Sequence, residues 1–511
     1  MESTNEKKLS KITLNADACV ENQVEYLLPD YLSDMRKLIY SSAELRRAAS
    51  FLTEGGEEHS GIVVYNAVYL DNESNMHSAT FTGDFDLLLK QSDEGAILLT
   101  DMRTENPSVR MTGPRKLMAK CTVKASSITA KEEVVSLEID KPEDAEVATR
   151  VANFATFIKC EEMEREYAEP LTSLLGATLD EIEVVYYSAE VSSLRATPQG
   201  GAVDVEGTVR IDVVIKNGDG VVYLSGKDID FAESLGCDLP DAKLTVLPEC
   251  GVTSLVVNTA PTDEGVDIVA SMILSLGASI GYNSTEDVIT DGYYKGYQTD
   301  ARYKEISYTE LSGHALVSES FSDEADLTEI ECPAVRDVIF ITGVPRLECK
   351  VKDGAIHYEG EIKFSGIVSE MREDGEIGYT SVRFALPIDR EGKKRDICDG
   401  ARIECALTVK NVSAYLDHGK LCLSYTLENA LTVMKDCTLS ILSRLTAGDA
   451  AVADGKTRIS VYYPEEGEEL FDIAKKFRTT EAKLAEDNSL VLETASVGDT
   501  VLHGVKKLLV L

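Results

Sequence analysis

The sequence predicts a mainly β chain: three tandem antiparallel β-sandwich or barrel-like modules, followed by one small βααβ unit. Three observations carry this prediction. Strand-period alternation recurs in hairpins at similar spacing, Gly- and Asn-bearing turns separate those strands, and clear helical periodicity is confined to the C-terminal end. A chain of 511 residues also exceeds the roughly 250 to 300 residues that a single core spans, so three or four domains are expected.

The clearest hairpin starts at Glu206, "EGTVRIDVVIKNGDGVVYLSGKDIDF". Val209, Ile211 and Val213 alternate with Thr208, Arg210 and Asp212, as in a half-buried strand. Asn217-Gly218 and Asp219-Gly220 tolerate positive φ and suit the turn, and a second strand runs toward Ile229 and Phe231. A hairpin of the same kind starts at Glu359, with Ile362 and Phe364 against Glu361, Lys363 and Ser365 and a turn at Asp374-Gly375. Another starts at Ser60 and turns through Asp71, Asn72 and Ser74. The leading glycines Gly61, Gly207 and Gly360 lie 146 and 153 residues apart. A further strand pair follows each hairpin, from Ala119, Thr253 and Cys405, which completes a threefold order. Module one is thus read at 20–165 after a tail at 1–19, module two at 166–310 and module three at 311–440, with a linker at 441–457 and the terminal unit at 458–511. The segment from Glu143, marked by Val151, Phe154 and Phe157, reads equally as a helical or a strand-switching connector.

Composition narrows the function. Apolar residues make up 43% and charged ones 27%, enough apolar surface for folded cores, and the formal charge of −38 repels phosphate backbones and anionic lipid. Nucleic acid and bare membrane are therefore poor partners, while basic proteins, neutral glycans and divalent cations remain. No stretch approaches the roughly 20 apolar residues that span a bilayer, and the N-terminus lacks a long apolar run, so a cytosolic location is expected. The eleven cysteines are widely and irregularly spaced, the closest pair being Cys398 and Cys405, which indicates neither zinc nor a disulfide framework but mostly small buried or half-buried thiols. Six histidines, at 59, 77, 314, 357, 418 and 503, form no HExxH or HxH pair. P-loop, GxSxG and GxGxxG patterns are missing too, so no catalytic residue, metal ligand or cofactor is assigned and a conventional enzyme is not expected.

In the terminal unit, Ile459 and Val461 begin a strand that Gly467 breaks. Leu470, Ile473, Ala474 and Phe477 then follow helical spacing, Thr480 caps a second helix carrying Ala482, Leu484 and Ala485, and Asn488 ends it. "SVGDTVLHG" from Ser496 supplies a closing turn and strand.

Two resemblances follow from these residues. The stretch "LPDYLSDMRKLIY", with Leu28, Pro29, Asp30, Tyr31 and Asp34, stands before a glycine-led hairpin and resembles the SPOCS domain of SipL/SpoVID-like spore coat morphogenetic proteins; modules two and three lack that stretch and match only in strand pattern. The terminal unit resembles a LysM domain through Val461, Gly467, Leu470, Ile473, Ala474, Phe477, Thr480, Leu484, Asn488, Gly498 and Asp499. It departs from the family at Gly467-Glu468-Glu469, where Gly-Asp-Thr or Gly-Asp-Ser is usual, leaving only Asp472 of a capping box.

The resemblance implies a non-enzymatic scaffold of spore envelope assembly on the mother-cell side of the developing spore. It also implies that the LysM-like unit docks a SpoIVA-like morphogenetic protein. The candidate partner- or glycan-binding residues are Gly467, Glu468, Glu469, Leu470, Phe471, Asn488, Gly498 and Asp499. Phe471 and Tyr463 are the aromatics available as a sugar platform, and the acidic loop of Glu465, Glu466, Glu468 and Glu469 suits a basic protein face better than a neutral sugar. A peptidoglycan-binding protein recognising N-acetylglucosamine glycans is the alternative. A structural subunit that self-associates through edge strands is the second.

Overall fold

The computed structural model describes residues 6–53, 55–90, 95–136, 144–171, 182–217, 222–262, 265–328, 335–372, 375–393, 397, 400–450, 459–465, 467–490 and 507–510. It is mainly β, built of several antiparallel sheets, with two short helices near its end. β1 (Glu6–Leu27), β6 (Lys116–Ser136) and β5 (Gly95–Gly113) form one sheet, and β2 (Lys37–Thr53), β3 (Gly56–Leu70) and β4 (Met76–Lys90) form a second in the order β2-β3-β4. Val63, Tyr65, Phe81, Phe85, Leu117 and Val123 fill the space between them.

Next come β7 (Ala145–Lys159), β8 (Met163–Pro170), β9 (Ile182–Gln199), β10 (Ala202–Asn217), β11 (Val222–Gly236), β12 (Thr245–Thr262) and β13 (Gly265–Tyr294). One sheet runs β11-β10-β9; the other runs β12-β13-β7, with β8 also on β13, and Val209, Ile211, Phe231, Met272 and Leu274 lie in the core they share. A third set comprises β14 (Tyr297–Asp326), β15 (Val335–Lys352), β16 (Ala355–Met371), β17 (Ile377–Glu391), β18 (Arg402–Asp417) and β19 (Lys420–Ala450). Its sheets run β14-β19-β18 and β15-β16-β17 around Ile362, Phe364, Tyr425 and Leu427.

The three hairpins stand where alternation puts them, as β3–β4, β10–β11 and β16–β17. Val209, Ile211, Ile362 and Phe364 are at most 1% exposed, whereas the residues between them remain partly or fully open. Gly61 and Gly207 share a local constraint. A Cβ on Gly61 would stand 2.5 Å from the Arg46 carbonyl and 3.0 Å from the Phe85 ring; on Gly207 it would meet the Phe231 ring at 2.8 Å and the Ser192 carbonyl at 3.4 Å. Each glycine is the floor on which a cross-strand phenylalanine lies.

Several boundaries differ from the sequence reading. β1 begins at Glu6, inside the expected tail, because its whole length pairs with β6. The segment from Ala119 is one continuous strand rather than a strand pair; its missing partner is β5. The ambiguous connector is β7 and β8, and both ladder onto β13, so they belong with the second set of sheets. β14 likewise starts at Tyr297 and joins β19, which runs to Ala450 through part of the expected linker. The LPDY stretch is a turn held by one cation. Arg115 donates to the Pro29, Leu28 and Leu32 carbonyls at 2.7, 3.2 and 3.1 Å and pairs with Asp34 at 2.7 Å.

The three hairpin sheets converge. Tyr40 of β2, Tyr186 of β9 and Phe340 of β15 form an aromatic triangle with ring centroids 5.3, 4.8 and 5.1 Å apart, ringed by Ile39, Val68, Leu70, Met76, Val185, Val214 and Ile367. Polar ties surround it. His77 Nδ1 faces Glu183 at 3.5 Å and Arg346 donates to Asn106 at 2.7 Å, while Lys410 of β18 donates to the Val191 carbonyl of β9 and pairs with Glu428. Beyond these, the outer halves of β7 and β13 form a ribbon that packs on the ribbon of β14 and β19. Phe154 meets Tyr308 at 4.6 Å there, beside Ala152, Val288, Ile306 and Ile441.

Phe340→Ala removes the ring on which both tyrosines rest. It is expected to cost about 3 to 5 kcal/mol, seen as a lower urea midpoint and as calorimetric unfolding that splits into separate transitions. A single transition at an unchanged midpoint would contradict a cohering role for the triangle.

Burial also pushes the Glu190 carboxyl up to about 7, helped by Asp212 and Glu428 and opposed by Lys410 and Arg210. Because that lies above the ordinary 4.5, the folded state keeps a proton that the unfolded chain releases. Stability from this group is therefore complete below about pH 4.5 and declines as pH rises through 7. Glu190→Gln should flatten this decline and raise stability at pH 8 by up to roughly 3 kcal/mol, measured by urea unfolding at pH 5 and pH 8.

Candidate docking site

The terminal unit is built from β20 (Ser460–Tyr462), α1 (Leu470–Phe477), α2 (Glu481–Asn488) and β21 (Leu508–Val510), with β20 antiparallel to β21. Alternation at helical spacing gives α1 its apolar face, so Leu470, Ile473 and Ala474 are fully buried against Leu484, Ala485 and Leu508. Thr480 caps α2 as its residue type requires, its hydroxyl accepting from Lys483 N at 3.0 Å. Arg478 and Ser489 end the two helices in left-handed conformations.

The expected site residues separate into distinct roles. Gly467, at φ +85°, makes the turn before α1 with no atom within 4 Å of a would-be Cβ. Glu468 folds back on its own loop, accepting from the Tyr462 hydroxyl at 2.8 Å and from Glu465 N at 3.0 Å. Glu469 stands at the N-cap of α1 without a side-chain capping bond and reaches Arg150 of β7 at 2.8 Å instead. Leu470 and Phe471 are 0% and 2% exposed and belong to the core. Asn488 stitches α2 to β21: its amide donates to the Leu484 and Leu509 carbonyls at 2.8 and 2.7 Å and accepts from Leu509 N at 2.5 Å. Gly498 and Asp499 lie outside the described residues.

Phe471 is buried by the ribbon. Tyr293 of β13 packs edge-on to it at 5.2 Å between centroids and donates its hydroxyl to the Thr479 carbonyl at 2.5 Å; Ala148 lines the same contact. Lys475 of α1 pairs with Asp291 of β13 at 2.5 Å, and Asp291 also accepts from Tyr303 of β14 at 2.7 Å. Tyr293, Asp291 and Arg150 had no sequence signal of their own. They lie on strands whose pairing with each other sets them beside α1, roughly 180 to 320 positions distant along the chain.

One face of the unit stays open. Val461 of β20 and Ile459 and Tyr463, which flank that strand at alternate positions, are 51%, 69% and 70% exposed, with half-buried Leu509 opposite Val461. Behind that face, Tyr462 is fixed by Phe477, edge-on at 5.4 Å, and by the Lys476 ammonium 4.5 Å above its ring. Of the two aromatics expected to be available, Tyr463 is open and Phe471 is not.

Elsewhere, a cleft of about 680 Å³ opens between the 240–243 loop, β13 and β14. Its wall includes Asn283, whose amide accepts from Leu311 N at 3.0 Å and donates to Leu311 O at 2.8 Å, a bond pair that holds the strands together. Among the described residues, no group of three His, Cys, Asp or Glu side chains could hold a metal ion, and no helix is long and apolar enough to cross a membrane. Comparison with protein-family models, with curated proteins and with solved structures finds no match.

Tyr293→Ala deletes both the ring contact and the hydroxyl bond to Thr479. It is expected to lower the opening free energy of α1 by about 3 kcal/mol, detected as faster amide hydrogen exchange at 470–477 with exchange in β2–β4 unchanged.

Proposed function

We propose that this chain is a non-enzymatic scaffold of spore envelope assembly: three SPOCS-like modules in series, ending in a LysM-like unit that docks a morphogenetic partner of the SpoIVA type. The observation that carries the proposal is the open face of the terminal unit. Its helical side is committed to the β7–β13 ribbon, while Ile459, Val461 and Tyr463 present a contiguous apolar stripe to solvent. A stripe of this kind on a rigidly seated unit is suited to holding a protein partner.

Other features support the same reading. The recurrent order of the sheets, with its paired glycine and phenylalanine in the first two hairpins, agrees with a repeated module. Glu468 and Glu469 serve the unit's own loop and its seat on β7, so the acidic turn that departs from the family pattern has a structural use in this chain. The partner face accordingly moves from the Gly467–Phe471 side to β20. The acting location would be the mother-cell side of the developing spore surface.

The glycan-binding alternative has one observation in its favour, the open ring of Tyr463, since sugars stack on exposed aromatic faces. The two are separable with the full chain. Val461→Asp together with Tyr463→Asp should weaken capture of a purified SpoIVA-type protein about a hundredfold, as expected for loss of an apolar anchor, with the thermal midpoint nearly unchanged. Equal capture by the variant, or saturable binding of chitin oligomers by the parent alone, would replace the scaffold reading with the glycan one.

A further inference from the structure

Two pairs of cysteines far apart in sequence stand side by side in the fold. Cys160, just after β7, is brought to Cys237, just after β11, by a backbone bond from Glu161 N to the Gly236 carbonyl at 3.2 Å, and the two thiols act on each other. Cys349 of β15 and Cys405 of β18 pack against one core, and their thiols act on each other across the seam where sheet β15-β16-β17 faces sheet β14-β19-β18. That seam has side-chain packing but no ladder of backbone bonds between β15 and β18.

The surroundings of the second pair are unusual. Asn429 of β19 is fully buried and aims Nδ2 at Cys405 Sγ from 3.4 Å. A neutral thiol is a poor acceptor, so a buried amide donor aimed at it recovers little of its desolvation cost; a thiolate is a good acceptor and recovers much more. Tyr358, opposite Cys349 in the β15–β16 register, closes the inner side of the cluster, while both cysteines keep partial exposure on the outer side.

We propose that Cys349 and Cys405 are an oxidisable dithiol whose disulfide staples the two sheets of the third set, with Cys405 as the thiol that reacts first. With hydrogen peroxide as oxidant, the Cys405 thiolate attacks one peroxide oxygen, the O–O bond breaks and hydroxide leaves, giving a sulfenic acid. The Cys349 thiol then attacks that sulfur, a new S–S bond forms, and water departs with the thiol proton. In sum two thiols are oxidised and one peroxide is reduced to two waters. Hydrogen bonds from Cys349 and Asn429 lower the Cys405 thiol against the effect of its burial, whereas burial and its neighbour push Cys160 up to about 12 and, among the described residues, no amide is aimed at the sulfur of Cys160 or Cys237, so Cys160–Cys237 is the built-in comparison. This inference is independent of the docking proposal, since Cys349 and Cys405 lie in the third set of sheets rather than in the terminal unit.

The test uses the intact chain treated with hydrogen peroxide at neutral pH, quenched with N-ethylmaleimide and mapped as peptides without reduction. The expected result is a linked peptide containing Cys349 and Cys405, formed before any Cys160–Cys237 link. Cys349→Ser should stop the reaction at a dimedone-reactive sulfenic acid on Cys405, and Asn429→Leu should slow disulfide formation about tenfold, the change in thiolate fraction for one pKa unit. Should Asn429→Leu not fold, the order in which the two pairs oxidise in the parent chain still decides. Persistence of both thiols, earlier oxidation of Cys160–Cys237, or sulfenic acid accumulating on Cys349 would each overturn the proposal.

Discussion

The contact on which the rest of the structure depends is the aromatic triangle of Tyr40, Tyr186 and Phe340. Each ring comes from the first strand of a hairpin sheet, and each is almost completely removed from water. Three large apolar side chains from three separate sheet systems share one small core, so those systems cannot rotate against one another without exposing it. The hydroxyl of Tyr40 approaches Thr342 at 3.5 Å, that of Tyr186 faces the Glu44 carboxyl, itself paired with Arg46 at 2.7 Å, and Lys410 of β18 pairs with Glu428 of β19. Apolar burial sets the centre, and polar pairing sets the orientation around it.

From that centre the strands run outward to the two packed ribbons, and the ribbons provide the seat for the terminal unit. β13 and β14 are each 30 residues long because they serve two sheets of contacts in turn. Their inner halves cover the cores shared by facing sheets, whereas their outer halves bury Val288, Ile306 and Tyr308 together with Phe154 of β7. Tyr293 lies on the remaining face, and α1 covers it. The orientation of the open β20 face is thus fixed by a chain of packing that starts at the triangle.

Some of this was legible from local pattern. Strict alternation at Val209, Ile211 and Val213 gave a half-buried strand, and the structure buries those residues. Helical spacing at Leu470, Ile473 and Ala474, with Thr480 as a cap, likewise corresponds to α1 and α2. A weaker signal went unused. Alternation lapses into continuous apolar runs at Val213-Val214-Ile215 and at Ile367-Val368, and these are places where the second face of the strand is covered too, by the shared centre. The connector around Phe154 was unreadable for a related reason: a ribbon covered on both faces loses its period-two contrast.

The sequence by itself determined the strand-rich class, the hairpin turns and the helical end, because each depends on residues within a few positions of one another. Only the tertiary structure decided which of the terminal unit's residues remain available. Glu469 and Phe471 stood among the candidate binding residues, yet Arg150 and Tyr293, brought from distant strands, occupy them. Availability is a property of what else packs nearby, and no local pattern encodes the neighbour that arrives from the other end of a sheet.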